Sequence, residues 1–60
     1  MTREAAIEHL RKFFAIKDDA ERTVILYLAR TKGYYISTEY GAVARYRDGE
    51  YTIGRTGDVF

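Results

Sequence analysis

Sixty residues with no cysteine and a single histidine allow one core, and leave neither a disulfide nor a Cys/His zinc site to reinforce it. Ten Lys and Arg against nine Asp and Glu give a formal charge of +1, too near balance for a dedicated nucleic-acid binder. No apolar run reaches the roughly 20 residues of a membrane span and no basic-then-apolar leader opens the chain, so the expectation is one cytoplasmic domain over residues 1–60. It is expected to hold no metal or cofactor and to supplement its small core by self-association.

The first helix is expected to open at Thr2, whose hydroxyl can accept from a free N–H of the first turn, with Glu4 well placed at the positive helix end. At 3.6 residues per turn Ala6, Ile7, Leu10, Phe13 and Phe14 share an arc of about 120°, which reads as core-facing. Glu4, Glu8, Arg11 and Lys12 form the solvated face, and His9 sits on the shoulder between the two, near Ala5 and Phe13.

After a break from Ala15, Asp18-Asp19-Ala20-Glu21 has the form of an N-cap with an acidic residue three places on. A second helix follows to Lys32 and ends at Gly33, a residue suited to the left-handed C′ position. Ala20, Val24, Leu28 and Thr31 line one face, with Ile25 and Tyr27 at its edges, and that face is expected to meet the core. Leu26 falls outside it, in line with Arg22 and Arg30. An outward leucine between two cations has the form of an apolar anchor with a charged surround, so Arg22, Leu26 and Arg30 are the candidate protein-binding residues.

Tyr34 to Thr38 reads as a short strand and Glu39-Tyr40-Gly41 as a turn. Two alternating runs, Ala42–Arg47 and Glu50–Arg55, are then joined by Asp48-Gly49, the pair a type I′ hairpin favours because both positions need positive φ. That turn predicts the pairs Arg47 with Glu50, Tyr46 with Tyr51, Arg45 with Thr52 and Ala44 with Ile53. Ala44, Tyr46, Tyr51 and Ile53 would cover the helices, and Arg45, Arg47, Glu50 and Thr52 would face away. Gly54 marks a bulge or a close approach, and Thr56 to Phe60 a tail or a last short strand. The fold class is therefore α+β: two amphipathic helices packed on a small antiparallel β-meander, α-α-β-β-β. An open edge such as Glu50–Arg55 would suit pairing with a second copy.

Catalytic chemistry finds little material. Ser37 is the only serine, His9 lies far from it in the chain, and the paired acids Asp18 and Asp19 are accounted for by capping. The glycines are scattered over turns and make no phosphate loop. A non-enzymatic regulator that binds another protein as a homodimer is the favoured reading. The alternative is a nucleic-acid-binding module in which Lys32, Tyr40, Arg45, Arg47 and Arg55 grip phosphates and stack on bases. Ala42 to Arg55 resembles the wing hairpin of winged-helix DNA-binding domains. Such domains also place a polar recognition helix immediately before the wing, whereas the helix here carries the apolar run Val24 to Ala29.

Overall fold

The computed structural model describes residues 1–58; Val59 and Phe60, the end of the expected tail or last strand, lie outside the described residues. Helix α1 spans Arg3–Phe13 and helix α2 Asp19–Lys32, followed by strands β1 (Tyr34–Ser37), β2 (Ala42–Arg47) and β3 (Glu50–Arg55). The α-α-β-β-β order is the expected one. No helix among the described residues is long and apolar enough to cross a membrane.

Both helices start as their sequences dictate. The Thr2 hydroxyl accepts from Ala5 N at 3.1 Å, and the Asp18 carboxylate accepts from Ala20 N at 2.9 Å, so each end gains a partner for a donor that the helix itself cannot satisfy. Gly33 stops α2 with φ +92°, a conformation that costs glycine nothing. Between the helices Ala15 takes φ +55°, which turns the chain so that Ile16 N closes on Leu10 O at 3.2 Å and the Ile16 side chain is fully buried. Ile16 thereby fills space that the periodicity assigned to Phe13. Phe13 is instead exposed and stacks on His9, with ring centroids 4.6 Å apart.

The sheet has strand order β1-β2-β3, antiparallel throughout. Asp48 and Gly49 have φ +53° and +80°, and the register they set pairs Arg47 with Glu50, Tyr46 with Tyr51, Arg45 with Thr52 and Ala44 with Ile53. Every expected hairpin pair is present. The ladder runs on unbroken through Val43 and Gly54, so no bulge forms at that glycine. Tyr35, Ser37, Ala42, Ala44, Tyr46, Tyr51 and Ile53 share the face that meets the helices; Tyr34, Ile36, Val43, Arg45 and Arg47 share the other.

One core joins the layers: Ala6, Leu10 and Ile16 from the first half, Ile25, Leu26 and Ala29 from α2, and Ala42, Ala44 and Tyr51 from the sheet. Four of these are alanines. Small side chains on both layers let the helices settle close to the strands, and the leucines and isoleucines fill the remaining space. The buried arc of α2 is therefore Arg22, Ile25, Leu26 and Ala29, roughly opposite the Ala20, Val24, Leu28, Thr31 stripe expected inside. The reason is local. Val24 to Ala29 is apolar without interruption and wraps the whole helix, so periodicity does not select a face. Turning Ile25 and Leu26 inward buries two large aliphatic chains while Ala29 keeps the backbones close.

A three-stranded sheet has two edges, and the Glu50–Arg55 edge offered for pairing is partly taken up within the chain. Tyr51 N donates to Met1 O at 2.9 Å and Met1 N donates to Tyr51 O at 2.7 Å, so the first residue lies along β3. Further on, Arg55 N donates to the Asp58 carboxylate at 2.8 Å, and Asp58 N returns a bond to Arg55 O at 3.0 Å. Met1 and Asp58 thus occupy the Glu50–Arg55 edge at Tyr51 and Arg55, while no segment among the described residues lies along β1.

Candidate interaction surface

Leu26 is 1% exposed and Arg22 8%, so the expected Arg22, Leu26, Arg30 anchor is corrected: two of its three members lie in the interior. The Arg22 guanidinium reaches Asp19 Oδ1 from Nη2 at 3.2 Å, while its Nε and Nη1 have no hydrogen-bond partner among the described residues. It also lies near α1, where the Arg11 guanidinium bonded to Glu8 holds that carboxyl below its ordinary value and Arg22 adds a smaller pull in the same direction. Arg30 is exposed, with its guanidinium 5.7 Å from the Tyr46 ring centroid, where it shields the aromatic end of the hairpin rather than flanking an anchor.

The nucleic-acid candidates are not brought together. Arg45 and Arg47 lie on the outer face of the sheet, Arg45 opposite both Tyr34 and Thr52, and Arg47 with its Nε 4.0 Å from the Asp48 carboxylate. Arg55 lies on the other face, its guanidinium 5.4 Å from the Phe14 ring centroid. Lys32 is exposed at the last turn of α2, and Tyr40 sits on the helix side of the β1–β2 turn. No single groove collects these five residues. His9 stacks on Phe13 and Phe14, Ser37 is buried on the inner face, and no hydrogen bond among the described residues connects the two.

What the fold leaves exposed is a set of apolar side chains on α2 and on β1, on the two sides of the open sheet edge. Val24 is 51% exposed, Tyr27 66%, Tyr34 56% and Ile36 46%, which leaves four large apolar side chains without cover on two elements that pack against each other. Val24 and Tyr27 belong to the outward arc of α2 with Ala20 and Thr31, and half-buried Leu28 continues it toward β1. Tyr34 and Ile36 project from the outer face of the sheet because β1 alternates, sending Tyr35 and Ser37 inward. Between α2 and β1 runs an open cleft of about 290 Å³, lined by Glu21, Val24, Ile25, Tyr35, Ser37 and Tyr40 among others.

One end of that cleft is fastened. The Tyr40 hydroxyl donates to the Glu21 carboxylate, tying the β1–β2 turn to the first turn of α2. This bond to an anion, followed by partial burial, pushes the Tyr40 phenol from its ordinary 10.0 up to about 12. The acid that was expected to serve the cap thus holds a tyrosine.

A pointer to this surface was present in the chain. Six consecutive apolar residues on one helix exceed what a single buried face accommodates, so with one sheet and one helix to pack against, α2 has apolar side chains left over. No protein-family model, curated protein or solved structure matches this chain, so its own residues carry the functional reading.

Proposed function

We propose that the chain is a non-enzymatic interaction protein that acts by binding another protein, as a homodimer, through the outer arc of α2 and the adjoining strand β1. The observation that carries this reading is the exposure of Val24, Tyr27, Tyr34 and Ile36 on the two elements that flank an open cleft. Isolated exposed apolar residues mean little, but four on two adjoining elements make the kind of patch that protein contacts use. Tyr27 is the natural anchor, because tyrosine offers large, rigid area with a polar tip at small entropic cost.

The test is a photo-crosslinking phenylalanine analogue placed at position 27, with position 47 as control, in lysate of the host. One discrete adduct with a protein other than the chain itself, lost when Val24→Asp is added, is the expected result. Equal labelling from both positions, or none from position 27, overturns the reading. Retention of nucleic acid that falls steeply with salt and weakens in Arg45→Ala and Arg47→Ala would transfer support to the alternative.

A further inference from the structure

The open edge of β1 has a definite geometry. In an antiparallel ladder, residues alternate between those whose N–H and C=O bond to the neighbouring strand and those whose groups point away. Gly33 O accepts from Tyr46 N at 3.0 Å, and Tyr35↔Ala44 and Ser37↔Ala42 are in phase with that pair. The backbone groups of Tyr34 and Ile36 therefore point outward from the sheet, and neither has a hydrogen-bond partner among the described residues.

Natural sheets usually protect such an edge with charge, proline, a bulge or a covering segment. Residues 33–38 contain no charged residue and no proline, and the β1–β2 register is regular.

We propose that a second copy of this chain closes the edge, β1 pairing antiparallel with its own mate about a two-fold axis at Tyr35, to give a continuous six-stranded sheet. The inference rests on the interaction reading above and assigns its first partner.

Three features single out a second copy. Strand addition about this axis sets Tyr34 of each copy opposite Ile36 of the other, and both belong to the outward-bonding phase, so the backbones form about four hydrogen bonds. The same step covers both exposed side chains as aromatic and β-branched cross-strand pairs.

Charge agrees with the direction. Lys32 precedes the uncharged stretch and Glu39 follows it, both exposed, so antiparallel addition brings Lys32 of one copy beside Glu39 of the other, where parallel addition would align like charges.

The helices agree with it as well. A two-fold axis perpendicular to the sheet leaves both helical layers on one face. With strands about 4.8 Å apart, an α2 seated over β1 and β2 meets its mate at about 10 Å, the spacing of packed helices. Val24, which lines the cleft with Tyr35 and Ser37, and Leu28 one turn on would then face their counterparts. Tyr27 points further from β1 and stays free for a different protein.

Sedimentation equilibrium of the purified chain from micromolar to millimolar concentration tests the pairing without any other partner. The expected result is a monomer–dimer equilibrium whose dissociation constant rises about tenfold or more in Ile36→Pro. That substitution removes an N–H that has no ladder partner within the chain. Circular dichroism reports whether the variant keeps its fold, and Ile36→Lys serves if it does not. At low salt Lys32→Glu should weaken the dimer and Glu39→Lys, added to it, should restore it. A monomer at every concentration overturns the proposal, as does a dimer indifferent to Ile36→Pro and Ile36→Lys. The interaction reading has its own readout at position 27, so the two can fail separately.

Discussion

The two edges of this three-stranded sheet are finished in opposite ways. Along β3, Met1 brackets Tyr51 from one side and Asp58 holds Arg55 from the other, so the outward backbone groups at both positions have partners. Along β1, Tyr34 and Ile36 present theirs to solvent, beside an α2 whose outer arc carries Val24 and Tyr27. The difference follows from chain order. Met1, just before α1, and Asp58, just after β3, both bond to β3, whereas β1 is held between the end of α2 at Gly33 and the turn at Thr38–Gly41, and no segment among the described residues lies across its edge.

The largest effect should separate the inner and outer arcs of α2 on the open side. Leu26→Asp puts a carboxylate into the core and is expected to cost about 4 kcal/mol or more, enough to unfold a domain of this size. Val24→Asp and Tyr27→Asp should each change stability by about 1 kcal/mol or less. Urea titration followed by circular dichroism distinguishes the two. Equal losses from Leu26→Asp and Val24→Asp would mean that both arcs are covered within one chain.

That arc assignment is also where the sequence was least legible. The hairpin pairing could be read residue by residue, because Asp48-Gly49 fixes the phase of both strands. Caps at Thr2 and Asp18 and the stop at Gly33 were equally readable, being local hydrogen-bond requirements. The rotation of α2 is a tertiary choice between two similarly apolar arcs. It is settled by how Ile25, Leu26 and Ala29 fit over the alanines of β2, which no window of the sequence contains. Reading the wrong arc as buried put Leu26 outside and Val24 inside, the reverse of their places in the structure. The partial cover of the Glu50–Arg55 edge was hidden for a related reason, since neither Met1 nor Asp58 signals locally that it will bond to β3.

Arg22 tests what lies beneath the exposed arc. Its guanidinium is buried, Nε and Nη1 have no hydrogen-bond partner among the described residues, and its carboxylate partner Asp19 is largely exposed. Removing a poorly compensated buried charge in favour of an apolar chain of similar length is often neutral or stabilising. Arg22→Met is expected to gain about 1–3 kcal/mol in the midpoint-derived unfolding free energy. A loss of similar size would show that the charge is balanced by more than Asp19, with Glu8 on α1 a further acid that feels it.

On the closed side, Asp58→Ala removes the acceptor for Arg55 N and exposes that part of β3. The bond lies at the surface, so the expected cost is about 1 kcal/mol, read as a small fall in the urea midpoint. The more discriminating readout is association. If edge protection works as described, Asp58→Ala should raise the tendency to aggregate through β3 while leaving any β1-mediated dimer intact. An unchanged aggregation rate would remove the protective role of this turn.

The smallest effect concerns the fastening of the cleft on the open side, and its sign is fixed by the direction of one shift. Hydrogen bonding to the Glu21 carboxylate raises the Tyr40 phenol from 10.0 to about 12, so the folded protein favours the neutral phenol more strongly than the unfolded chain does. The resulting stabilisation is fully present below pH 10.0 and is lost as pH rises through about 12. Tyr40→Phe should therefore flatten the part of the alkaline stability loss that wild type shows across this window, while leaving the profile between pH 6 and 9 parallel to wild type. Thermal midpoints of the two proteins, measured in steps from neutral pH upward, give the comparison. Curves that stay parallel through pH 12 would mean that Tyr40 and Glu21 do not hold the β1–β2 turn against α2, and that the cleft beside the open strand is unfastened.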